Sequence, residues 1–259
     1  LARQARELKA GPSQRRRAGL FLVEGPRAIE EGLASQARFA WVMVARGKRE
    51  RFAAWLTRLA SQQVAIHEVE DELLIRLSPT EHGQGLLAAV ALPPDADDLP
   101  LLLARVAGDA TLRLLVLWNL QQPGNTGTLL RSAAAFGWSA VLTVGGADPW
   151  NEKAVRASAG AIHRLQVARA VQPDAALLAS LANLNTVAAL AHGGRPPESI
   201  DWTKVRGLIL GSETEGLPSS FAQSATPVTI PLGASIESLG VAMAGSILMA
   251  LGRRAPPAR

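Results

Sequence analysis

Residues 207–250 limit the possible folds of this chain more than any other stretch. They read as a short apolar run, Leu208-Ile209-Leu210, then a glycine-bounded polar loop, Gly211-Ser212-Glu213-Thr214-Glu215-Gly216-Leu217-Pro218, and a short helix. A second β-rich run (227–232) and another polar loop (233–240) follow, and then a segment, 241–251, that is apolar or small at nearly every position. A helical segment without a polar face is buried on most sides, and a short uninterrupted apolar run reads as a strand buried on both faces. Together they predict an α/β fold with a parallel sheet. In open sheets of this kind ligands bind beyond the carboxyl ends of the strands. The two polar loops therefore predict a small polar ligand held between them.

The rest of the chain keeps the same alternation. Residues 19–23 read as a strand, with Pro26 in the first turn of a helix through Leu33. Then come a strand at 39–44 and a helix at 50–60 with Phe52, Trp55, Leu56 and Leu59 on one face. A strand at 63–66, a helix at 71–77 and a strand at 86–92 complete a small α/β/α sandwich, 19–92. The run Pro93-Pro94-Asp95-Ala96-Asp97-Asp98-Leu99-Pro100 has prolines and acids but no apolar period, and it predicts a linker over 93–110. Beyond it, in a second domain spanning 111–259, strands are expected at 112–118, 140–144 and 185–190. Helices are expected at 128–136, through 155–160 and at 174–181.

Composition removes several chemistries. With no cysteine there is no disulfide, thiolate metal site or cysteine nucleophile. His67, His82, His163 and His192 are too scattered to give ligand spacing, so no metal is expected. No apolar run reaches the ~18–20 residues of a membrane span. The first residues lack the apolar middle of a signal peptide, and a cytoplasmic protein is expected. Because residue 1 is Leu, the chain is expected to begin inside its gene product or after processing.

The net charge is +5, and residues 1–27, with seven cations against two carboxylates, hold all of the excess. A basic arm over 1–18, led by Arg15, Arg16 and Arg17, suits a polyanion such as RNA, whose counterions it would release. A solvated tail has the same composition. Lys153, Arg156 and Arg164 read equally as phosphate contacts or as solvated charges. Gly124-Asn125-Thr126-Gly127 heads a helix but matches neither GxxxxGK[ST] nor GxGxxG, which argues against a nucleotide-phosphate loop. Arg131, one turn into that helix, is flanked by the small residues Ser132, Ala133 and Ala134. It has room to fold back over the loop, or to stand as a surface arginine.

Three motifs in order resemble one family. Asn125-Thr126-Gly127-Thr128-Leu129-Leu130-Arg131-Ser132-Ala133 is similar to N-x-G-x-x-x-R-[ST]-A. Leu210-Gly211-Ser212-Glu213-Thr214-Glu215-Gly216-Leu217 is similar to G-x-E-x-x-G-[LM]. Ile230-Pro231-Leu232 followed by Glu237-Ser238-Leu239-Gly240-Val241-Ala242-Met243-Ala244 is similar to I-P-M…S-L-N-V-S-x-A. The chain thus resembles the SpoU/TrmH family of SPOUT RNA methyltransferases across 112–250. Residues 19–92, with Phe21-Leu22-Val23-Glu24-Gly25, resemble the substrate-binding domain that often precedes the catalytic one.

The resemblance implies S-adenosylmethionine as cofactor, a ribose 2′-hydroxyl as methyl acceptor, a deep C-terminal trefoil knot and a homodimer through catalytic-domain helices. The substrate it implies is RNA, with ribosomal RNA favoured over tRNA; a tRNA enzyme or a catalytically weakened RNA-binding relative are the alternatives. It casts Gly211, Ser212, Glu213, Gly216, Leu217, Ile230, Leu232 and Leu239 around the cofactor. Arg131, Asn125, Glu213 and Ser238 take the catalytic positions, with Arg131 placing phosphate and hydroxyl. Two bland roles compete: Glu213 as a helix N-terminal carboxylate and Ser238 as N-cap of the last helix. One departure stands out: Gly240 occupies the place of the family's asparagine, which in the family helps order the hydrogen bonds of the active site.

Overall fold

The computed structural model describes the chain except residues 79–82, 173–174, 224, 234–235, 237 and 254–259. It opens with α1 (Ala2–Ala10), α2 (Pro12–Ala18), β1 (Leu20–Glu24), α3 (Pro26–Ala34) and β2 (Phe39–Ala45). Next come α4 (Ala53–Ser61), β3 (Ala65–Val69), α5 (Asp71–Leu77), β4 (Leu86–Ala91), α6 (Leu99–Gly108) and β5 (Leu114–Trp118). Then follow α7 (Pro123–Ala135), β6 (Ala140–Val144), α8 (Glu152–Ala157), β7 (Gln166–Ala170) and α9 (Ala175–Ala182). The chain closes with β8 (Thr186–Ala189), β9 (Gly207–Leu210), α10 (Ser219–Gln223), β10 (Thr226–Val228) and α11 (Val241–Leu251). These elements form two compact units, Leu1–Pro94 with Trp150–Arg164, and Asp95–Pro149 with Leu165–Arg259.

The first unit is a four-stranded sheet in the order β1-β4-β2-β3. In it β4 runs antiparallel to β1 and β2, while β3 runs parallel to β2. Side chains alternate across a strand. Leu22, Trp41, Met43, Leu87 and Ala89 therefore share one face, packed with Ala5 and Leu8 of α1 and Leu74 and Leu77 of α5. Phe21, Val23, Val42, Val44, Ala88 and Val90, of the opposite parity, are also buried. Phe21 lies 4.9 Å from the Trp150 ring and 5.7 Å from the His163 ring. Arg164 closes the same region with a 2.6 Å ion pair to Glu31.

Two sequence expectations give way here. The basic arm is two helices, not a free tail. Ala5 and Leu8 make an i, i+3 apolar stripe that the surrounding charges disguise, and both are buried. Arg15 is only 3% exposed and donates from Nη1 to the Leu8 carbonyl at 2.7 Å. The stretch expected as linker contains α6, whose Leu102 and Val106 are buried. Asp98 caps it, accepting the Leu101 N–H at 2.9 Å. Pro100 falls in the first turn, where its missing N–H costs nothing.

The second unit is a six-stranded parallel sheet in the order β10-β8-β9-β5-β6-β7. Leu114, Val116, Leu142, Val144 and Ile209 pack on Leu102 and Val106 of α6, Leu177 and Leu181 of α9 and Phe221 of α10. On the other face α11 packs against α7 and β9. A Cβ on Gly245 would sit 2.4 Å from Leu210 and 2.6 Å from Leu129, so α11 approaches both closely. Ser132 and Ser246 share a 2.7 Å hydrogen bond between α7 and α11. Trp138 Nε1 donates to the Met249 carbonyl at 3.1 Å, tying down the far end of α11.

The helix expected at 128–136 starts earlier, at Pro123, again because proline is suited to a first turn. Asn125 therefore sits in a helical turn and not in a loop. Strand β7 has no counterpart among the expected elements, since Gln166-Val167-Ala168-Arg169-Ala170 lacks the continuous apolar run of its neighbours. Among the described residues no helix is long and apolar enough to cross a membrane.

Candidate functional site

The strand order creates a crevice. From β5 the chain moves to β6 on one side, whereas β9, hydrogen-bonded to β5, lies on the β8 and β10 side. The connections leaving the carboxyl ends of β5 and β9 therefore diverge, which is the topological switch point where open sheets bind ligands.

The loop after β9 is a tight turn. Gly216 N–H donates to the Ser212 carbonyl at 3.0 Å, and Glu215 N–H donates to Ser212 Oγ at 3.0 Å. Gly216 has φ +67°, and a Cβ on Gly211 would lie 2.5 Å from the Gly216 carbonyl carbon. Only glycine permits that backbone approach. The turn carries Glu213 toward α7, where Asn125 Nδ2 donates to Glu213 Oε1 at 2.5 Å. Glu213 is thus tied to the start of α7 and not to the amino end of α10.

Beside this turn lies a cavity of about 460 Å³. Gly211, Ser212, Glu213, Gly216 and Leu217 form one side; Ile230, Leu232, Ser238, Leu239 and Gly240 form another. Ala189 at the end of β8, with Leu190 and Ala191 after it, contributes further lining that the motifs do not indicate. Apolar walls with polar loop edges suit a flat heterocycle with a polar rim, in the size range of small-molecule sites. Ser238 lines the cavity but does not cap α11; its N-cap is Gly240, without a side-chain cap bond. At φ −55°, and with open space where a Cβ would stand, Gly240 occupies a position that any side chain can take. Glu237 lies outside the described residues.

Arg131 stands apart from the cavity lining. It lies on the exposed face of α7, six residues and about 9 Å along the axis from Asn125. Among the described residues no hydrogen bond or ion pair engages it. Of the cations expected to meet RNA, Arg15 is the correction, because its guanidinium is spent inside the first unit. Arg16 is half-buried and Arg17 exposed. Lys153 and Arg156 are exposed on α8, which belongs to the first unit and not to the second. Among the described residues no group of three or more His, Asp or Glu side chains is placed to hold a metal, and His82 lies outside them. Sequence motifs also give no sign of Asn119, Gln121 and Glu215. Asn119 Nδ2 donates to Glu215 Oε2 at 3.3 Å, and Gln121 Nε2 donates to Asn119 Oδ1 at 2.7 Å.

Comparison with known proteins agrees with this geometry. The SpoU rRNA methylase family model matches residues 113–250, and the MRM3-like substrate-binding domain model matches residues 2–88. An uncharacterised tRNA/rRNA methyltransferase of Synechocystis is 30% identical over 98% of this chain and 90% of its own. The 23S rRNA (guanosine(2553)-2′-O)-methyltransferase RlmP of Bacillus subtilis is 27% identical over 91% of this chain and 89% of its own. Among solved structures, the SpoU methyltransferase AviRb from Streptomyces viridochromogenes in complex with AdoMet superposes with a TM-score of 0.83. That match is 25% identical and covers 97% of this chain and 96% of the other. The family motifs, the parallel sheet and the cavity at its switch point therefore have one common explanation: this chain belongs to the SpoU rRNA methylase family.

Proposed function

We propose that this protein methylates a ribose 2′-hydroxyl of ribosomal RNA, using S-adenosylmethionine held in the cavity beside the 211–217 turn. The observation that carries the reading is the cavity itself, with the motif residues of two loops on its walls and the Gly211 backbone in close approach. Ile230 and Leu239, which line the cavity, would hold the adenine between them, with loop backbone groups at its edge. When bound, the cofactor supplies an electrophilic methyl group on a sulfonium.

The hydroxyl is a weak nucleophile and must be held in line and lose its proton as its oxygen takes the methyl. Arg131 keeps its charge, since a guanidinium pKa exceeds ~12. Its role is to orient an RNA phosphate and the hydroxyl and to stabilise developing negative charge. Among the described residues no side chain or carbonyl engages its guanidinium, which supports that role by leaving its donors for RNA. The Asn125–Glu213 bond holds the start of α7, and thus Arg131, in register with the cofactor loop. Ser238 contributes a hydroxyl at the cavity edge. Arg16, Arg17, Lys153 and Arg156 supply backbone contacts to RNA from the first unit.

Three further features belong to this reading. The chain leaves the sheet at the edge strand β10 and returns with α11 against β9, an order of elements compatible with the family's deep trefoil knot. Met243, Ile247 and Leu251 leave an exposed apolar stripe along α11, which suits a homodimer through the catalytic unit. The protein acts in the cytoplasm, where its RNA is assembled.

The test is transfer of labelled methyl from S-adenosylmethionine to unmodified total RNA. Label is expected in rRNA as a 2′-O-methylnucleoside, with Arg131→Ala lowering the rate at least ~100-fold, as loss of a main electrostatic contributor does. Label in tRNA instead would keep the chemistry and overturn the substrate. Cofactor binding without transfer, on rRNA still in its immature state, would make the protein a weakened RNA-binding relative.

A further inference from the structure

The 211–217 turn is anchored twice, once in the first turn of α7 and once just after β5. One anchor is the Asn125–Glu213 bond already described. The other involves residues that the family motifs do not specify: Asn119 just after β5, Gln121 two residues on, and Glu215 at an open position of the G-x-E-x-x-G motif. We propose that Asn119, Gln121 and Glu215 form a second clamp that fixes the orientation of the cofactor turn, with Asn119 as its positioning residue. This inference rests on the functional reading above.

The geometry argues for a built device. Asn119 has φ +49°, a left-handed conformation that asparagine tolerates and most residues avoid. Its own N–H donates to the Val144 carbonyl at 2.8 Å, so its backbone is pinned to β6. Its amide is oriented too. Oδ1 accepts from Gln121 Nε2 at 2.7 Å, which leaves Nδ2 facing Glu215 Oε2 at 3.3 Å. Gln121 Nε2 also donates to the Asn119 carbonyl at 3.2 Å, gripping the residue at two points. Asn119 directly follows β5 and Asn125 lies in the first turn of α7, so the two anchors flank the β5–α7 connection. A turn held at one point can pivot; held at two, it presents its cavity wall in one orientation. Ser212 completes the turn from within, its Oγ taking the Glu215 N–H.

The variants follow from this geometry. Asn119→Gly removes the amide yet keeps the positive φ without strain. Glu215→Ala removes the acceptor, and Glu215→Gln keeps an acceptor oxygen without the charge. For the intact protein, Kd for S-adenosylmethionine is expected to rise about 3- to 10-fold in Asn119→Gly and Glu215→Ala, the effect of losing one solvent-exposed hydrogen bond. The double variant should be no weaker than either single one, and Glu215→Gln should recover most of the loss. In turnover, KM for the cofactor should rise by more than kcat falls. Amide hydrogen exchange within 213–217 of the ligand-free protein should quicken in both single variants, a readout independent of any ligand. Unchanged exchange, or additive losses in the double variant, would overturn the clamp. If the wild type fails to bind S-adenosylmethionine, the functional reading falls and exchange alone still decides the clamp.

Discussion

At the scale of single residues, the most informative position is Gly240. Its φ of −55° and the open space at its Cβ position show that the backbone does not demand glycine. An asparagine there would restore the family's residue and give α11 a side-chain N-cap. Gly240→Asn is expected to raise the methyl-transfer rate about 2- to 10-fold, the worth of one regained hydrogen bond. It should also stabilise the fold by a few tenths of a kcal/mol, the usual difference between asparagine and glycine at an N-cap. Single-turnover rates and urea midpoints measure the two effects separately. A stability gain with an unchanged rate would mean that this protein has dispensed with the asparagine. Asn125, Glu213 and the glycines of the 211–217 turn are legible as motif letters in the sequence alone. Asn119 and Glu215 are not, because their pairing spans 96 residues of sequence and carries no local pattern.

At the scale of elements, legibility follows the apolar pattern. Helix α11 declares itself through an unbroken apolar run, and β6 through five consecutive buried positions. Helices α1 and α6 hide behind charge and proline, although each buries two side chains on one face. The packing of α11 makes a sharp prediction. Gly245→Val would push methyl groups into Leu210 and Leu129, which leave no room even for a Cβ. Overpacking of this kind costs about 1–3 kcal/mol. A lowered urea midpoint with unchanged m-value is expected, together with loss of cofactor binding, because α11 carries Val241, Ala244 and Leu248 into the cavity wall. A variant as stable as the wild type would show that α11 can shift on β9.

At the scale of the whole molecule, one ring contributes to acid sensitivity. His163 packs against Phe21, and its Nε2 is sealed from solvent with no hydrogen-bond partner among the described residues. Burial pushes its pKa down from 6.5 to about 4, against the opposing pull of Glu31. Between those values the unfolded chain binds a proton that the folded chain refuses. Stability is therefore full above pH 6.5 and falls as pH drops toward about 4, by roughly 3 kcal/mol in all. His163→Phe keeps a ring against Phe21 and removes the titration. Its urea midpoint should change less between pH 7.5 and 4.5 than that of the wild type, and an identical pH dependence would absolve His163.

The discontinuous first unit also has a consequence in time. A ribosome that has finished Pro94 has made the whole four-stranded sheet, but not Trp150, Ile162 or His163. At ~5–20 residues per second, the residues up to Arg164 take roughly 4–14 seconds more to synthesise. Throughout that interval the nascent sheet presents Phe21 without its later cover, and the first unit waits on a segment encoded inside the second.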